Sequence, residues 1–187
     1  MNEGLSSEVR LSLFEAGIGR RYHDLMLGDV KHGAGMLEYL KRRGKAIRQG
    51  QGVAFHGIGM TDAIIMLARG LHINGVGCKV VPLVRMRGLI NDPEFREQVM
   101  DADVLVVLNA QDTNRGNPLH DSVAAEVEYT IRRRHENGKA IFLQLAIEED
   151  TAMAEMPNCY WTGEMIEFIS EHLERVTPTG LKAMEPR

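Results

Sequence analysis

The chain has 187 residues, 26 acidic and 22 basic side chains, and a formal net charge of -4. Forty-four per cent of its residues are apolar and only 5% aromatic, which suits one domain with a sizeable core and excludes a wholly disordered chain. It holds no apolar run of about 18 residues that would span a membrane. Its start, MNEGLSSEVRLSLFEAG, lacks a basic region followed by an apolar stretch. Cys78 and Cys159 form neither a C-x-x-C site nor a disulfide framework, so a cytoplasmic protein with no membrane partner is expected. The mildly acidic total excludes a chain that is basic all over, but not a local basic face for nucleic acid.

In chain order, Ser6 to Ala16 reads as a short helix broken by Gly17 and Gly19, and Met36 to Arg48 as a second helix with a basic outer face. Val53–Phe55 is an apolar run too short for a helix and well placed as a buried strand. Thr61 to His72 has the apolar spacing of a buried helix, with Thr61 as its expected N-cap and Asn74–Gly75 as its stop. Cys78 to Val84 reads as a strand that Pro82 ends or places at an edge. Asn91 to Met100 reads as a helix with Asp92 as cap and Pro93 at its first position. The continuous run Val104–Leu108 suits a central parallel strand covered on both faces. Ala110 to Pro118 is a polar loop, Leu119 to Glu136 a long helix with Asp121 as a cap, and Ala140 to Ala146 a further buried strand. Glu164 to Val176 reads as the final helix, followed by a frayed tail from Thr177.

Strand and helix alternate, so the expected fold is α/β, a three-layer αβα sandwich around a mostly parallel sheet. The expected organisation is a leading helical segment of the same domain over 1–52, the core over 53–150 and a C-terminal helical segment over 151–187.

Ligands of such sheets bind at the carboxyl ends of strands, where a glycine turn opens onto a helix N-terminus. Phe55-His56-Gly57-Ile58-Gly59-Met60-Thr61 occupies such a place. A phosphate loop needs glycines so that backbone N–H groups converge, a lysine to neutralise the phosphates, and a Ser/Thr hydroxyl for magnesium. Here the glycines and the threonine are present and the lysine is absent.

Three stretches give the chain a resemblance to the DnaC/IstB-like helicase-loader branch of the AAA+ P-loop ATPases. Ala16-Gly17-Ile18-Gly19-Arg20-Arg21-Tyr22-His23-Asp24, followed by Leu27-Gly28-Asp29-Val30, resembles that family's A-G-I-P-x-R-[YF]-x-D segment. Gly59 to Arg69 resembles its G-K-T-H-L-A-x-A-L-A-R. Ala102 to Val107 and Arg132 to Lys139 resemble its A-D-L-L-V-[IL]-D-D and R-[RY]-x-x-[GN]-[KR]. The resemblance covers 11–150. It implies an AAA+-like core and a role in DNA replication, of a phage or mobile element. It also implies partners such as a replicative helicase, an AAA+ loader or initiator relative, or single-stranded DNA, with self-association into a homo-oligomer as a further option.

The departures from the family carry the functional expectation. The loop is about three residues short of the family's phosphate loop, and Met60 stands where the lysine belongs. The degenerate nucleotide positions are therefore Gly57, Gly59, Met60 and Thr61. The magnesium-binding and water-activating acids fall on Leu108 and Asn109, and the polar sensor near Ala146. Asp112 is an acid near that site in sequence, and Arg175 is an arginine-finger candidate by position. Loss of one cation beside a phosphate forfeits about 4 kcal/mol at about 4 Å and an effective dielectric of about 20. Phosphoryl transfer depends on such charges. The expectation is a catalytically inactive, pseudo-ATPase member of this branch that acts by binding, with neither ATP nor magnesium expected as a cofactor.

Other residues are candidates for narrower roles. Arg42, Arg43, Arg132, Arg133 and Arg134 are candidate DNA contacts, set against the plainer reading of a solvated helix face. Cys159-Tyr160-Trp161 reads as a plug that closes the sheet or as a partner contact. An alternative enzyme reading, a nucleoside deoxyribosyltransferase or TIR-like NAD hydrolase, rests on Glu126. A third reading keeps ATP binding without hydrolysis.

Overall fold

The structure is a computed structural model and describes residues 5–110, 118–151 and 161–185. Five strands form one all-parallel sheet: β1 (Gly52–His56), β2 (Cys78–Pro82), β3 (Val104–Leu108), β4 (Ala140–Leu145) and β5 (Leu173–Val176). Their order across the sheet is β2-β3-β4-β1-β5. β1 thus lies between β4 and β5, with Val53 beside Phe142 and Glu174.

Strand residues alternate between two cores because successive side chains leave opposite faces. Val53, Phe55, Val104, Val106 and Phe142 meet α1 (Ser7–Glu15), α2 (Gly33–Arg48) and α3 (Thr61–Ile73) on one face. Ala54, Leu105, Val107, Ile141 and Leu143 meet α4 (Gly88–Asn91), α5 (Pro93–Asp101), α6 (Pro118–Glu136) and α7 (Gly163–His172) on the other. The leading segment belongs to the first core, since Leu13, Ile18, Tyr22, Met36 and Tyr39 are all buried in it.

The helices and strands expected from the sequence are present, with differences that have physical causes. Asp92 caps α5 through the Phe95 N–H, with Pro93 at the first position, and Asn91 closes the short α4 instead of opening α5. β2 stops at Pro82, and a 3-10 turn over Leu83–Arg87 follows. α6 starts at Pro118, which puts Asp121 inside its first turn and not at its cap. Thr61 is the first residue of α3; the cap position belongs to Met60, whose side chain makes no capping bond.

The largest correction is at the C-terminal end. The expected final helix stops at His172, and Leu173–Val176 pairs with β1 as an edge strand. The expected frayed tail is α8 (Pro178–Met184), capped by the Thr177 hydroxyl, with Leu181 fully buried against α2. A Cβ added at Gly35 of α2 would lie 2.3 Å from the Leu181 carbonyl oxygen, so glycine is what lets the two backbones meet. Among the described residues no helix is long and apolar enough to cross a membrane.

Candidate functional site: the glycine loop at the end of β1

The loop after β1 turns on two glycines with positive φ. Gly57 has φ +137° and Gly59 φ +81°, the region that L side chains rarely adopt. The Gly57 N–H donates to the Leu145 carbonyl at the end of β4 (3.0 Å). A Cβ at Gly57 would lie 2.4 Å from the ring of Pro178, so the start of α8 sits directly against the loop. The Ile58 side chain at the tip is 57% exposed.

Met60, at the lysine position of the resemblance, is fully buried in the core beneath the loop, with its sulfur 3.4 Å from where a Gly57 Cβ would stand. A nearby cation comes from elsewhere. The Lys31 amine, just before α2, lies 3.4 Å from the position of a Gly59 Cβ, on a side chain that is exposed.

The hydroxyl of Thr61 is engaged from within the protein. Gln144, a fully buried residue of β4, donates through Nε2 to Thr61 Oγ1 (3.2 Å) and accepts the Asn109 N–H at Oε1 (2.8 Å). The Gln144 carbonyl accepts from Ala110 N (2.8 Å). Sequence reasoning missed this residue. The sequence places the sensor position near Ala146, which lies just past β4 and is half-buried; Gln144 is a polar residue within β4 itself. The signal was a lone polar side chain inside the apolar run Ala140–Leu145.

At the end of β3, Leu108 is buried and Asn109 is exposed with φ +53°. Asn tolerates that conformation because its short polar side chain bonds locally. Asp112, Cys159 and Tyr160 lie outside the described residues. Trp161 is buried in the core between the sheet and α7.

His56, the last residue of β1, is buried, and its Nδ1 has no hydrogen-bond partner among the described residues. Burial, with the Arg175 charge nearby, pushes its pKa down to about 4, so the ring is neutral at pH 7. The Arg175 guanidinium donates to the main-chain oxygen of Glu149, on the protein's own loop after β4. The Glu149 carboxylate in turn accepts from the Thr179 N–H (3.3 Å) and hydroxyl (2.9 Å), which fastens the start of α8 over the loop. Hydrogen bonds from Thr177 and Thr179 hold that carboxyl below the usual carboxylate range.

The leading segment reaches the same helix. Tyr22 OH donates to Asp62 Oδ1 (2.6 Å), and Arg21 donates to the same oxygen (3.0 Å). Asp62 also places a negative charge in the first turn of α3, where the helix dipole favours it.

The arginine candidates are separated. Arg134 is fully buried and donates to the carbonyls of Val99, Met100, Ala102 and Ala140 at 2.6–3.1 Å. It is therefore a staple between α5, β4 and α6, and is removed from the candidate DNA contacts. Burial lowers its pKa to about 10, still charged at pH 7. Arg132 lies over the Phe168 ring (5.0 Å), and Arg133 donates to Tyr129 OH (3.0 Å). Arg43 pairs with Glu174 (3.0 Å) and Arg42 is exposed. Arg42 and Arg43 lie on α2 and Arg132 and Arg133 on α6, on opposite faces of the sheet, so they do not line one groove. Glu126 pairs with Arg96 of α5 (3.1 Å); the carboxylate that the alternative enzyme reading needs is held as a link between two helices.

No protein-family model and no curated protein sequence matches the chain. Solved structures do. The DnaC helicase loader superposes with a TM-score of 0.65 at 16% identity, over 85% of this chain and 99% of that one. DnaI gives 0.60 at 14%, over 85% and 93%. DnaA from Aquifex aeolicus bound to AMPPCP gives 0.64 at 12%, over 86% of this chain and 50% of that one. A DNA replication initiation factor gives 0.60 at 11%, over 75% and 44%, so the chain spans about half the length of these last two structures. At these identities the shared property is the fold. The chain has the α/β fold of the DnaC helicase loader, of DnaI and of DnaA.

Proposed function

We propose that this protein acts in DNA replication as a helicase-loader-like adaptor that works by contact with other macromolecules and does not split ATP. The observation that carries the reading is Met60: the position that supplies the phosphate-loop lysine holds a thioether buried in the core. The short loop against Pro178 and the buried Leu108 at an acid position support it. A loop without its lysine and acids has lost the charges that stabilise a transferring phosphoryl group.

The partners that suit this reading are a replicative helicase or an AAA+ loader or initiator, in the setting of a phage or mobile element that the sequence resemblance implies. Single-stranded DNA is a further partner, reached through Arg132 and Arg133 on one face or Arg42 on the other. The DnaA of one solved structure is bound to AMPPCP and single-stranded DNA. A pull-down from the host should recover a helicase or an AAA+ relative.

One feature favours a second reading, an adaptor that holds ATP without hydrolysing it. The Lys31 amine is a cation beside Gly59, in the loop that leads into the first turn of α3. Isothermal titration with magnesium-ATP decides between the two. The leading reading expects no binding tighter than about 100 µM, which corresponds to about 5.5 kcal/mol. Tighter binding that Lys31→Ala weakens establishes the second.

A further inference from the structure

The oxygen that would hold magnesium in a phosphate loop is Thr61 Oγ1, and its surroundings among the described residues do not fit a divalent cation. Magnesium needs an oxygen lone pair from the hydroxyl and further oxygens around it. The Asn109 main-chain N–H can only donate, and it donates to Gln144 Oε1 at 2.8 Å. That bond sets the orientation of the carboxamide, so Nε2 is the atom that faces Thr61, at 3.2 Å. The amide nitrogen carries N–H donors with positive partial charge and offers a metal no lone pair. Turning the carboxamide over would leave the Asn109 N–H without its acceptor beside a fully buried side chain.

The geometry points to Gln144 as an internal substitute for the cation: its carboxamide ties the first turn of α3 to the end of β3 and holds both in one conformation with neither metal nor nucleotide bound. The tie is continuous with the sheet, because the Gln144 carbonyl also accepts from Ala110 N. A ligand shifts a conformational equilibrium only through different affinities for its states, and a tie made of the chain's own groups favours one of those states by itself. The inference extends the proposed reading from the triphosphate to the metal, and it is tested separately.

The test follows thermal unfolding and backbone hydrogen exchange of the full chain with and without magnesium chloride. In the wild type, magnesium should leave both the midpoint and the protection of the Asn109 amide unchanged. Gln144→Glu keeps the shape but turns lone pairs and a charge toward Thr61, and should gain a magnesium-dependent rise in midpoint. Gln144→Leu keeps similar volume without either hydrogen bond. It should speed exchange at Asn109 about tenfold or more and show no magnesium response.

A wild-type midpoint raised by magnesium alone, an unprotected Asn109 amide in the wild type, or a Gln144→Glu chain indifferent to magnesium would each overturn the inference. If Gln144→Glu does not fold, the wild-type exchange and Gln144→Leu decide it. A wild type that binds ATP yet stays protected at Asn109 and indifferent to magnesium alone contradicts the proposed function and leaves this inference standing.

Discussion

The leading segment and the glycine loop both meet the first turn of α3, and they differ in what holds them. The leading segment is fixed by contacts of the protein with itself. Val80 N donates to the Ala16 carbonyl (2.7 Å), Gly17 packs against the Val80 backbone, and Tyr22 reaches Asp62. Its residues match the family pattern. The loop departs from that pattern, and the protein's own side chains surround it: Met60 from below, Gln144 at the Thr61 hydroxyl, Pro178 at the side. The comparison teaches that both regions are held by the protein's own groups, the leading segment largely through backbone contacts and the loop through side chains brought from distant segments.

The same substitution in the two regions gives the sharpest contrast. Gly17 has φ +85°, and an added Cβ would lie 2.2 Å from the Val80 carbonyl oxygen, a backbone atom. Gly17→Ala should cost about 4 kcal/mol or prevent folding, since conformational strain adds to a collision that only a backbone shift relieves. At Gly59 the conformation is equally left-handed, but the neighbour is the mobile end of Lys31. Gly59→Ala should cost only about 1 kcal/mol. Urea denaturation of the two variants measures the difference; equal losses would erase the distinction drawn between the regions.

Next in size is the pH dependence from His56 at the root of the loop. Its folded pKa of about 4 lies below the ordinary 6.5, so the unfolded chain takes up the proton first as pH falls. The stability tied to its neutral ring is complete above about pH 6.5 and lost progressively toward pH 4, in total about 3 kcal/mol. His56→Phe should flatten the rise of stability with pH across that window. An unchanged slope would mean that the ring is not desolvated as described. The smallest effect belongs to the leading segment: Tyr22→Phe removes the bond to Asp62, which is partly exposed, and should cost about 1 kcal/mol.

What could be read in the sequence followed from period and punctuation. Val104–Leu108 is a strand because a continuous apolar run is long enough for nothing else, and Asp92-Pro93 opens a helix as cap and first residue. β5 was not readable, because Leu173–Val176 follows His172 with no glycine or proline between them and becomes a strand only by pairing with β1. α8 did carry a signal, Thr177 followed by Pro178, a cap and a first-turn proline.

Arg134 shows how a charge run misleads. It falls on the helical stripe of Ala124, Val127 and Ile131, all buried, and is drawn inward because carbonyls of five residues accept its donors. In the site, the sequence shows by position that Met60, Leu108 and Asn109 stand where the resemblance would put a lysine and acids. Gln144, Lys31 and Pro178 come to the loop from distant segments that only the folded chain brings together.

The most direct test of the central claim is release of inorganic phosphate by the purified chain with magnesium-ATP, measured beside Thr61→Ala. A rate for the wild type no higher than that of the variant is what the buried Met60 and the engaged Thr61 hydroxyl predict. Sustained release by the wild type that Thr61→Ala abolishes would contradict the account.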